Sequence, residues 1–445
     1  MKIMTKAKTA STFPHFQEHF FIQYPVQRHK LSNGLTILTQ ENHELPVACL
    51  YTMYKVGSRN ERPGITGISH LFEHMMFNGS RKFGPKEFDR ILESGGGHSN
   101  AYTSRDLTVY YEDFAAPLLE TVIELDADRM GWLNLSAESL KSERDVVKEE
   151  RRLRTEDSIH GRLEEELYAA SFQCHPYRLP VIGWMPDIEN ISLHDCKQYH
   201  KNYYAPNNAV LVLSGAFHTE RALELIEKYY GEITARKTSR PPVTKEPPQK
   251  GEKRITYRKQ VELHNFVVGY HVPGIGHNDL FALDVVETIL ADGESSILHR
   301  ALVRKKAIAL YLYCDLTWHI DPGLFEIIVQ MKPGFTSVDG EQSLEEELQR
   351  LSKNTVSRSD LSRAKNILEA DFIQSLQTNN GRAHRIGLSE VLLGGYQKMF
   401  DPIAGYQKVT VEDVQRIISG YFIPDNKTIV QLEIEFFTAE SAENT

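Results

Sequence analysis

Two histidines and a glutamate stand close together in the run HisLeuPheGluHis, at His70, Glu73 and His74. In a helix, His74 lies one turn after His70 on the same face, so both imidazoles can reach one metal ion. Catalytic zinc takes three protein ligands and keeps a position for water, whose pKa it lowers. Glu73 lies beside the histidines and could take the proton from that water. The order reverses H-E-x-x-H, so the box predicts an inverted zinc-hydrolase motif.

The third ligand must come from another part of the chain. Residues 136–154 have the pattern of a long charged helix. Glu143 and Glu150 are seven residues apart on it, which is two turns, so both carboxylates share one face. Glu150 is the candidate ligand, and Glu143 is a candidate for orienting the site from behind. On spacing alone, a solvated helix face is the simpler interpretation. The apolar positions of this helix are Leu140, Val146, Val147 and Leu153.

Five more segments follow the order of a known family along nearly the whole chain. They are LSNGLTIL at 31–38, VGSRNE at 56–61, GGGHSNAYTSRD at 95–106, YYAPNNAVLVLSG at 203–215 and GESSILHRALVRKKAIALY at 293–311. With the box and Glu150, they resemble the pitrilysin or insulinase family of zinc metallopeptidases. The short members of the mitochondrial processing peptidase type, including bacterial homologues, are the most similar. The resemblance implies that His70, His74 and Glu150 bind zinc and that Glu73 is the general base.

Length and composition are those of a large globular protein. A chain of 445 residues exceeds the size at which a single core stops growing, so two or more domains are expected. The hydrophobic content of 41% and the charged content of 25% are ordinary, and a net charge of −9 provides no basic surface for nucleic acid. No apolar run suits a membrane span or a signal peptide, so we expect the cytoplasm, or the periplasm if a signal was removed.

The chain contains an internal duplication. The segment from residue 192, SLHDCKQYHKNYYAPNNAVLVL, recurs from residue 410 as TVEDVQRIISGYFIPDNKTIVQL, an offset of 218. Prolines and lysines at 236–254 predict a linker between a catalytic domain at 24–235 and a second domain at 255–438. Strands adjacent in sequence favour an α+β fold, with a mostly antiparallel sheet packed with helices in each domain. The resemblance implies two homologous α/β roll domains. The cysteines are expected to be free and buried, at Cys49, Cys174, Cys196 and Cys314.

The second copy lacks the metal motif. Residues 284–288 stand opposite the box, with Asp284 and Thr288 at the histidine positions, so one zinc ion per chain is expected. By resemblance, Arg304 and Tyr311 of the second domain act on the substrate. Arg304 would hold a substrate carbonyl, and Tyr311 would donate a hydrogen bond to the developing oxyanion. Spacing alone would fit a surface arginine and a core tyrosine.

A glycine run at 95–97 leads into a short polar stretch beside the box. A strand there could bind an extended peptide along its edge, and the resemblance assigns Asn100, Ala101 and Tyr102 to this role. Without the resemblance, an ordinary glycine turn into a strand is equally plausible. No lysine or serine follows the glycines as in a phosphate loop, so nucleotide binding is not expected.

These observations predict a zinc-dependent endopeptidase that hydrolyses unfolded peptides or small proteins. Full-length members of the family contain four such domains, with the first facing the fourth, whereas this chain has two. A homodimer, or a heterodimer with a related chain, is therefore expected to form the closed chamber. The alternatives are a non-catalytic subunit and a subunit that is active only with a metal-free partner chain.

Overall fold

The computed structural model describes residues 23–434, together with Gln17, Phe20 and Phe21. Most of the amino-terminal segment considered as a signal, and residues 435–438 of the predicted second domain, lie outside the described residues. The first sheet has the order β1-β2-β6-β3-β5-β4, and only β2 and β6 pair in parallel. Its strands are β1 (Val26–Lys30), β2 (Thr36–Glu41), β3 (Val47–Tyr54), β4 (His98–Thr103), β5 (Thr108–Ala115) and β6 (Ala209–Gly215).

The second sheet has five strands in the order β7-β11-β8-β10-β9, and only β7 and β11 pair in parallel. The predicted α+β fold with two mostly antiparallel sheets is therefore confirmed, and each sheet also contains one parallel pair. The strands are β7 (Lys253–Lys259), β8 (Asn265–Val272), β9 (Ala309–Asp315), β10 (Gly323–Met331) and β11 (Lys427–Ile434).

Helices cover both sheets. Those before the second sheet are α1 (Ile68–Met75), α2 (Glu87–Ser94), α3 (Leu119–Trp132), α4 (Ala137–Arg151), α5 (Ile159–Ser171), α6 (Met185–Asn190), α7 (Leu193–Tyr203) and α8 (Thr219–Tyr230). The later ones are α9 (Asp279–Ala291), α10 (Ser337–Lys353), α11 (Arg358–Ser375), α12 (Asn379–Leu392), α13 (Asp401–Lys408) and α14 (Val411–Tyr421). Among the described helices, none is both long enough and apolar enough to cross a bilayer.

The duplicated segments adopt the same structure. Each forms a helix, a short 3₁₀ turn and a strand, so that α7 and β6 recur as α14 and β11 at the offset of 218. The helix caps also correspond. The Ser192 hydroxyl accepts the N–H of Asp195, and the Thr410 hydroxyl accepts the N–H of Asp413. The similarity of the two copies therefore extends to the individual hydrogen bonds at their helix caps.

Each sheet has one face covered by a helix from the other half of the chain. Helix α12 packs on the first sheet so closely that a Cβ on Gly387 would lie 2.4 Å from the Met53 Cε atom. Helix α5 packs on the second sheet, where a Cβ on Gly269 would lie 3.0 Å from Leu167. The two halves are interlocked by this exchange, and the domain boundaries at 24–235, 236–254 and 255–438 stay a prediction.

The predicted linker is fixed to the first half. The Glu246 carboxylate accepts the backbone N–H groups of three consecutive residues at 2.7–3.0 Å: Gln173, Cys174 and His175. The last two linker residues, 253 and 254, already belong to β7. Cys49 and Cys196 are buried free thiols as expected, whereas the expectation was wrong for Cys174, which is exposed. Cys314 is intermediate, because β9 lies at a sheet edge.

A buried charge cluster lies between α3 and the first sheet. The Arg129 guanidinium of α3 donates to the carboxylates of Glu112 and Asp126, at 2.6 Å to each, and it is 2% exposed. The Thr52 hydroxyl donates to Asp126 at 2.6 Å. Without the guanidinium, two carboxylates would remain buried with no cation beside them.

We expect Arg129→Met to lower the midpoint of thermal unfolding, by the equivalent of about 3–5 kcal/mol, because it leaves buried carboxylates unpaired. The matched control is Arg221→Met, since Arg221 is 57% exposed and its ion pairs lie on the surface. Equal midpoints for the two variants, measured by scanning calorimetry, would contradict the structural role of the cluster.

Candidate metal centre

The start of α1 is fixed by a carboxylate and by a glycine contact. The Glu61 carboxylate accepts the N–H groups of Gly67 and Ser69, both at 2.8 Å, which satisfies donors that a helix start leaves free. Gly67 has a φ of +84°, and a Cβ there would lie 2.3 Å from the Ile182 carbonyl oxygen. Gly183 has a φ of +85° and meets Gly67 equally closely. Glycine is therefore required at both positions.

Helix α1 divides its residues between the core and a cavity. His70, Glu73 and His74 face a cavity of about 630 Å³, which is also lined by Glu150. The i, i+3, i+4 spacing places these three side chains on one side of the helix, as the sequence predicts. The opposite side is buried in the core of the first half through Ile68, Leu71, Phe72 and Met75.

Helix α4 carries the predicted third ligand. Leu140 and Val147 are buried, and Glu143 and Glu150 repeat the same seven-residue spacing on the side that meets α1. The helix ends at Arg151 and continues as a π-helical turn at 152–156, so it is shorter than the predicted 136–154. Two of its predicted apolar positions are exposed rather than packed, Val146 and Leu153.

The end of α4 is connected to the start of α1 through the loop that contains Gly183. The buried Arg151 guanidinium donates to the Gly183 carbonyl at 2.7 Å and to the Glu165 carboxylate at 2.8 Å. Because Gly183 packs directly against Gly67, this interaction connects the helix of Glu150 with the helix of the histidines. Sequence reasoning did not find Arg151, whose position inside a run of charged residues resembles a solvated face.

Three side chains converge on one point. The Glu150 Oε2 atom lies 3.2 Å from His74 Nε2 and 3.7 Å from His70 Nε2, and the three candidate ligand atoms all lie within 4.8 Å of one another. Two imidazole nitrogens and one carboxylate oxygen are a donor set of catalytic zinc. The other Glu150 oxygen pairs with Arg154 at 2.8 Å. Glu143 Oε2 lies 3.5 Å from His74 Nδ1, behind the ring.

The electrostatics of the cluster suit a cation. Burial lowers the pKa of His70 to about 4, so its imidazole is neutral and has a free lone pair. Burial also acts to lower the pKa of His74, but hydrogen bonds to Glu143 and Glu150 outweigh it and raise the pKa to about 9. The proton on His74 is therefore held by two carboxylates, and a metal ion bound here would displace it.

Glu73 is oriented by the neighbouring strand. The Thr103 hydroxyl, at the end of β4, donates to Glu73 Oε2 at 2.6 Å. Burial raises the pKa of Glu73 above its usual value, and the hydrogen bond from Thr103 opposes that shift. Such a carboxylate is more basic than one in water. Thr103 was not among the predicted site residues, although it directly follows the predicted strand residues.

The predicted substrate strand lies at the edge of the first sheet. Asn100, Ala101 and Tyr102 of β4 line the same cavity as the histidines, and β4 pairs with β5 on one side only. The Tyr102 hydroxyl lies 3.0 Å from His384 Nε2 of α12, so its ring packs on the sheet face opposite to α1. The strand can therefore offer its backbone to the cavity while its tyrosine anchors it.

Arg304 and Tyr311 are not among the described residues that line the cavity of the cluster. Arg304 forms an ion pair with Glu294, and Tyr311 is 44% exposed, so the alternative of a core tyrosine does not apply. Tyr313 of β9 contacts a residue of the cavity wall, since its hydroxyl lies 2.7 Å from Nδ1 of the cavity-lining His160. The sequence did not single out Tyr313.

The second copy uses the corresponding position for packing. The buried Asp284 carboxylate of α9 accepts hydrogen bonds from Trp318 Nε1 at 2.9 Å and from the Tyr406 hydroxyl. The Thr288 hydroxyl donates to the Asp284 carbonyl. In the part of the chain that the structure describes, no group of three metal-ligating side chains includes residues 284–288.

Comparisons with known proteins identify the relatives of this chain. A family profile described as "Insulinase (Peptidase family M16)" matches residues 36–184, and one described as "Peptidase M16 inactive domain" matches residues 190–368. The zinc protease PqqE of Helicobacter pylori is 32% identical over 407 residues, which cover 91% of each chain. The uncharacterized zinc protease YmxG of Bacillus subtilis is 25% identical, over 90% of this chain and 96% of that protein.

More distant and structural relatives extend the comparison. A probable mitochondrial-processing peptidase subunit beta of Arabidopsis thaliana is 24% identical, over 88% of this chain and 75% of that protein. The crystal structure of a protease from Helicobacter pylori superposes with a TM-score of 0.88 at 32% identity, covering 92% of this chain and 100% of that one. A Pseudomonas fluorescens structure with a TM-score of 0.84 and 18% identity supports the fold alone. The chain belongs to the insulinase family, peptidase family M16, and is of its short two-domain type.

We expect Glu143→Gln to weaken zinc binding by about 10–100-fold, because it removes the charge behind the His74 ring while preserving its shape. Zinc affinity is measured by competition with a chelator. The control is Glu138→Gln, which changes an exposed carboxylate in the first turn of the same helix. Unchanged affinity in Glu143→Gln would contradict the orienting role of Glu143.

Proposed function

We propose that this protein is a zinc-dependent endopeptidase with one catalytic zinc site per chain. The observation that carries the proposal is the convergence of His70, His74 and Glu150 beside Glu73, in a cavity bordered by an edge strand. His70 and His74 would bind zinc through Nε2, and Glu150 through Oε2. The relatives named as zinc proteases support this metal and this class of activity.

Zinc, when bound, supplies a Lewis acid that polarises the peptide carbonyl and acidifies a water molecule. Glu73 accepts the proton of the attacking water and later passes it to the leaving amine. Its hydrogen bond from Thr103 keeps the carboxylate aimed at the cavity, and its burial strengthens it as a base. Glu143 holds His74 in the orientation in which Nε2 faces Glu150.

The substrate in this proposal is an extended peptide. The free edge of β4 at Asn100, Ala101 and Tyr102 offers backbone donors and acceptors, which bind a chain in strand conformation. Folded proteins do not present free strands of this kind, so unfolded peptides or small proteins are the expected substrates. Backbone pairing involves few side chains of the substrate. Selectivity for the substrate sequence therefore depends on the cavity walls.

The position of Arg304 and Tyr311 supports a role for a second chain. Both are exposed in the second half and lie outside the cavity of their own chain. We propose that a dimer, with a second copy or with a related chain, encloses the chamber and places these residues of one subunit over the metal centre of the other. The name of the Arabidopsis relative, a subunit, is compatible with such an assembly. A subunit that is inactive alone is the competing proposal.

Zinc-loaded protein is expected to cleave a mixed pool of unstructured peptides, and Glu73→Gln is expected to reduce the rate by at least about 100-fold, because the general base is lost. Cleavage is followed by mass spectrometry. The matched control is Glu149→Gln, which changes a carboxylate that is 66% exposed on α4. Zinc content is measured for each protein, so that loss of the metal is not mistaken for loss of the base.

Two results would count against the proposal. Equal cleavage by the Glu73→Gln protein would exclude Glu73 as the base. Absence of cleavage by the zinc-loaded wild-type protein would favour the non-catalytic or partner-dependent subunit.

For a homodimer, mixing two inactive variants is expected to restore activity. In a dimer of Glu73→Gln with Tyr311→Phe, one of the two sites has both an intact Glu73 and an intact Tyr311 from the partner. Random exchange of subunits should therefore recover about a quarter of the wild-type rate. Mixing Glu73→Gln with Glu150→Gln is the control and should recover none, because both changes lie in the metal half. Absence of recovery in the first mixture, with exchange shown by native mass spectrometry, would rule out shared sites.

A further inference from the structure

A second group of potential metal ligands lies at one end of the first sheet. Strands β2 and β6 run in parallel, with Glu41 opposite Gly215 at the last paired position. Parallel strands end at the same edge of a sheet, so the residues that follow them lie close together. His43 comes two residues after β2, and His218 comes three residues after β6. The sheet topology therefore joins side chains that are far apart in sequence.

The three side chains are close enough to share one ion. One ligand atom from each of Glu41, His43 and His218 lies within 4.8 Å of the others. His43 Nε2 is 3.0 Å from Glu41 Oε2, and the centroids of the two imidazole rings are 5.2 Å apart. Both histidines are exposed, so small rotations of their side chains can bring the atoms to coordination distance.

The carboxylate of this group is oriented from behind. The N–H of Thr219 donates to Glu41 Oε1 at 2.8 Å, which leaves Oε2 directed at His43. Burial acts to raise the pKa of Glu41, but the hydrogen bonds from Thr219 and His43 outweigh it and lower the pKa. Glu41 is therefore ionised at neutral pH and ready to act as a ligand.

Another acidic group shows what distinguishes this one. Glu252, Glu341 and Glu345 also lie together, but the Lys427 ammonium stands among them at 2.5–2.8 Å from each. In that group, the Lys427 ammonium is therefore already the cation that the carboxylates bind. The group at Glu41 contains two imidazoles, and no lysine or arginine among the described residues forms an ion pair with it. Imidazole favours zinc, copper, nickel or cobalt over magnesium and calcium.

We propose that Glu41, His43 and His218 form a second site for a divalent transition-metal ion, separate from the centre at His70. Water completes the coordination, because two of the three ligands are open to solvent. Metal bound there fastens the loop after β2 to the loop before α8. The same loop contacts α12, since Asn42 Nδ2 donates to Asn379 Oδ1 at 3.1 Å. Metal binding therefore steadies the junction between the first sheet and a helix of the second half.

Zinc stoichiometry tests the proposal. The full-length protein is dialysed against buffered zinc and its metal content is measured by elemental analysis. The wild type is expected to bind about two ions, and His43→Ala/His218→Ala about one. His194→Ala/His277→Ala, which removes two exposed histidines elsewhere, is the matched control and should still bind about two. Equal zinc content in the wild type and in His43→Ala/His218→Ala would overturn the proposal.

A further pair of variants separates this site from the candidate peptidase centre. His70→Ala/His74→Ala should keep one zinc ion, and combining it with His43→Ala/His218→Ala should remove that ion. If instead His70→Ala/His74→Ala binds none, the second site does not exist, whatever the state of the first. As a second readout, zinc should slow hydrogen exchange at residues 42–47 in the wild type and in His70→Ala/His74→Ala, but not in His43→Ala/His218→Ala. Identical exchange with and without zinc in all three would also contradict the proposal.

Discussion

The candidate metal centre depends on the packing of α4 against α1. The two histidines are one turn apart on a single helix, but Glu150 belongs to another helix and must be held in place by the fold. Contact between the backbones of Gly67 and Gly183 brings the supporting loops together, and Arg151 binds the Gly183 carbonyl from the end of α4. A side chain at either glycine would separate the loops. The ligand geometry is therefore set by backbone contacts outside the cavity, before any metal binds.

The internal duplication explains why the two halves interlock, although they differ at the position of the histidine box. Gly161 near the start of α5 and Gly381 near the start of α12 are 220 residues apart. A Cβ on Gly161 would clash with the Arg154 carbonyl oxygen, and a Cβ on Gly381 would clash with the Ser375 carbonyl oxygen. These two equivalent helices are the ones that cross to the opposite sheet. The repeat has kept its architecture, whereas its box position changed to Asp284, which hydrogen-bonds within the core. The first half keeps the candidate ligands, whereas the second half uses the corresponding position for packing.

Much of this could be predicted from sequence, because the signals are local or repeated. The box on α1, the seven-residue spacing of Glu143 and Glu150, and the offset of 218 each indicate one structural feature. Other features depend on pairs far apart in the chain. The parallel pairing of β2 with β6 joins residues more than 170 positions apart, and no pattern in either strand indicates it. The exchange of α5 and α12 was missed for the same reason, since a repeat does not say which copy packs on which sheet. The position of Arg151 in a run of charged residues gave no indication that its side chain is buried.

The central claim is that His70, His74 and Glu150 bind zinc, and X-ray diffraction at the zinc absorption edge tests it most directly. Crystals of the wild-type protein grown with zinc should give an anomalous peak bounded by Nε2 of His70, Nε2 of His74 and Oε2 of Glu150, with Glu73 beside it. Crystals of Glu150→Gln should lose or weaken that peak while keeping the helices in place. Zinc-bound crystals with no peak between these three atoms would contradict the account, because the convergence of the side chains would then serve a purpose other than holding a metal.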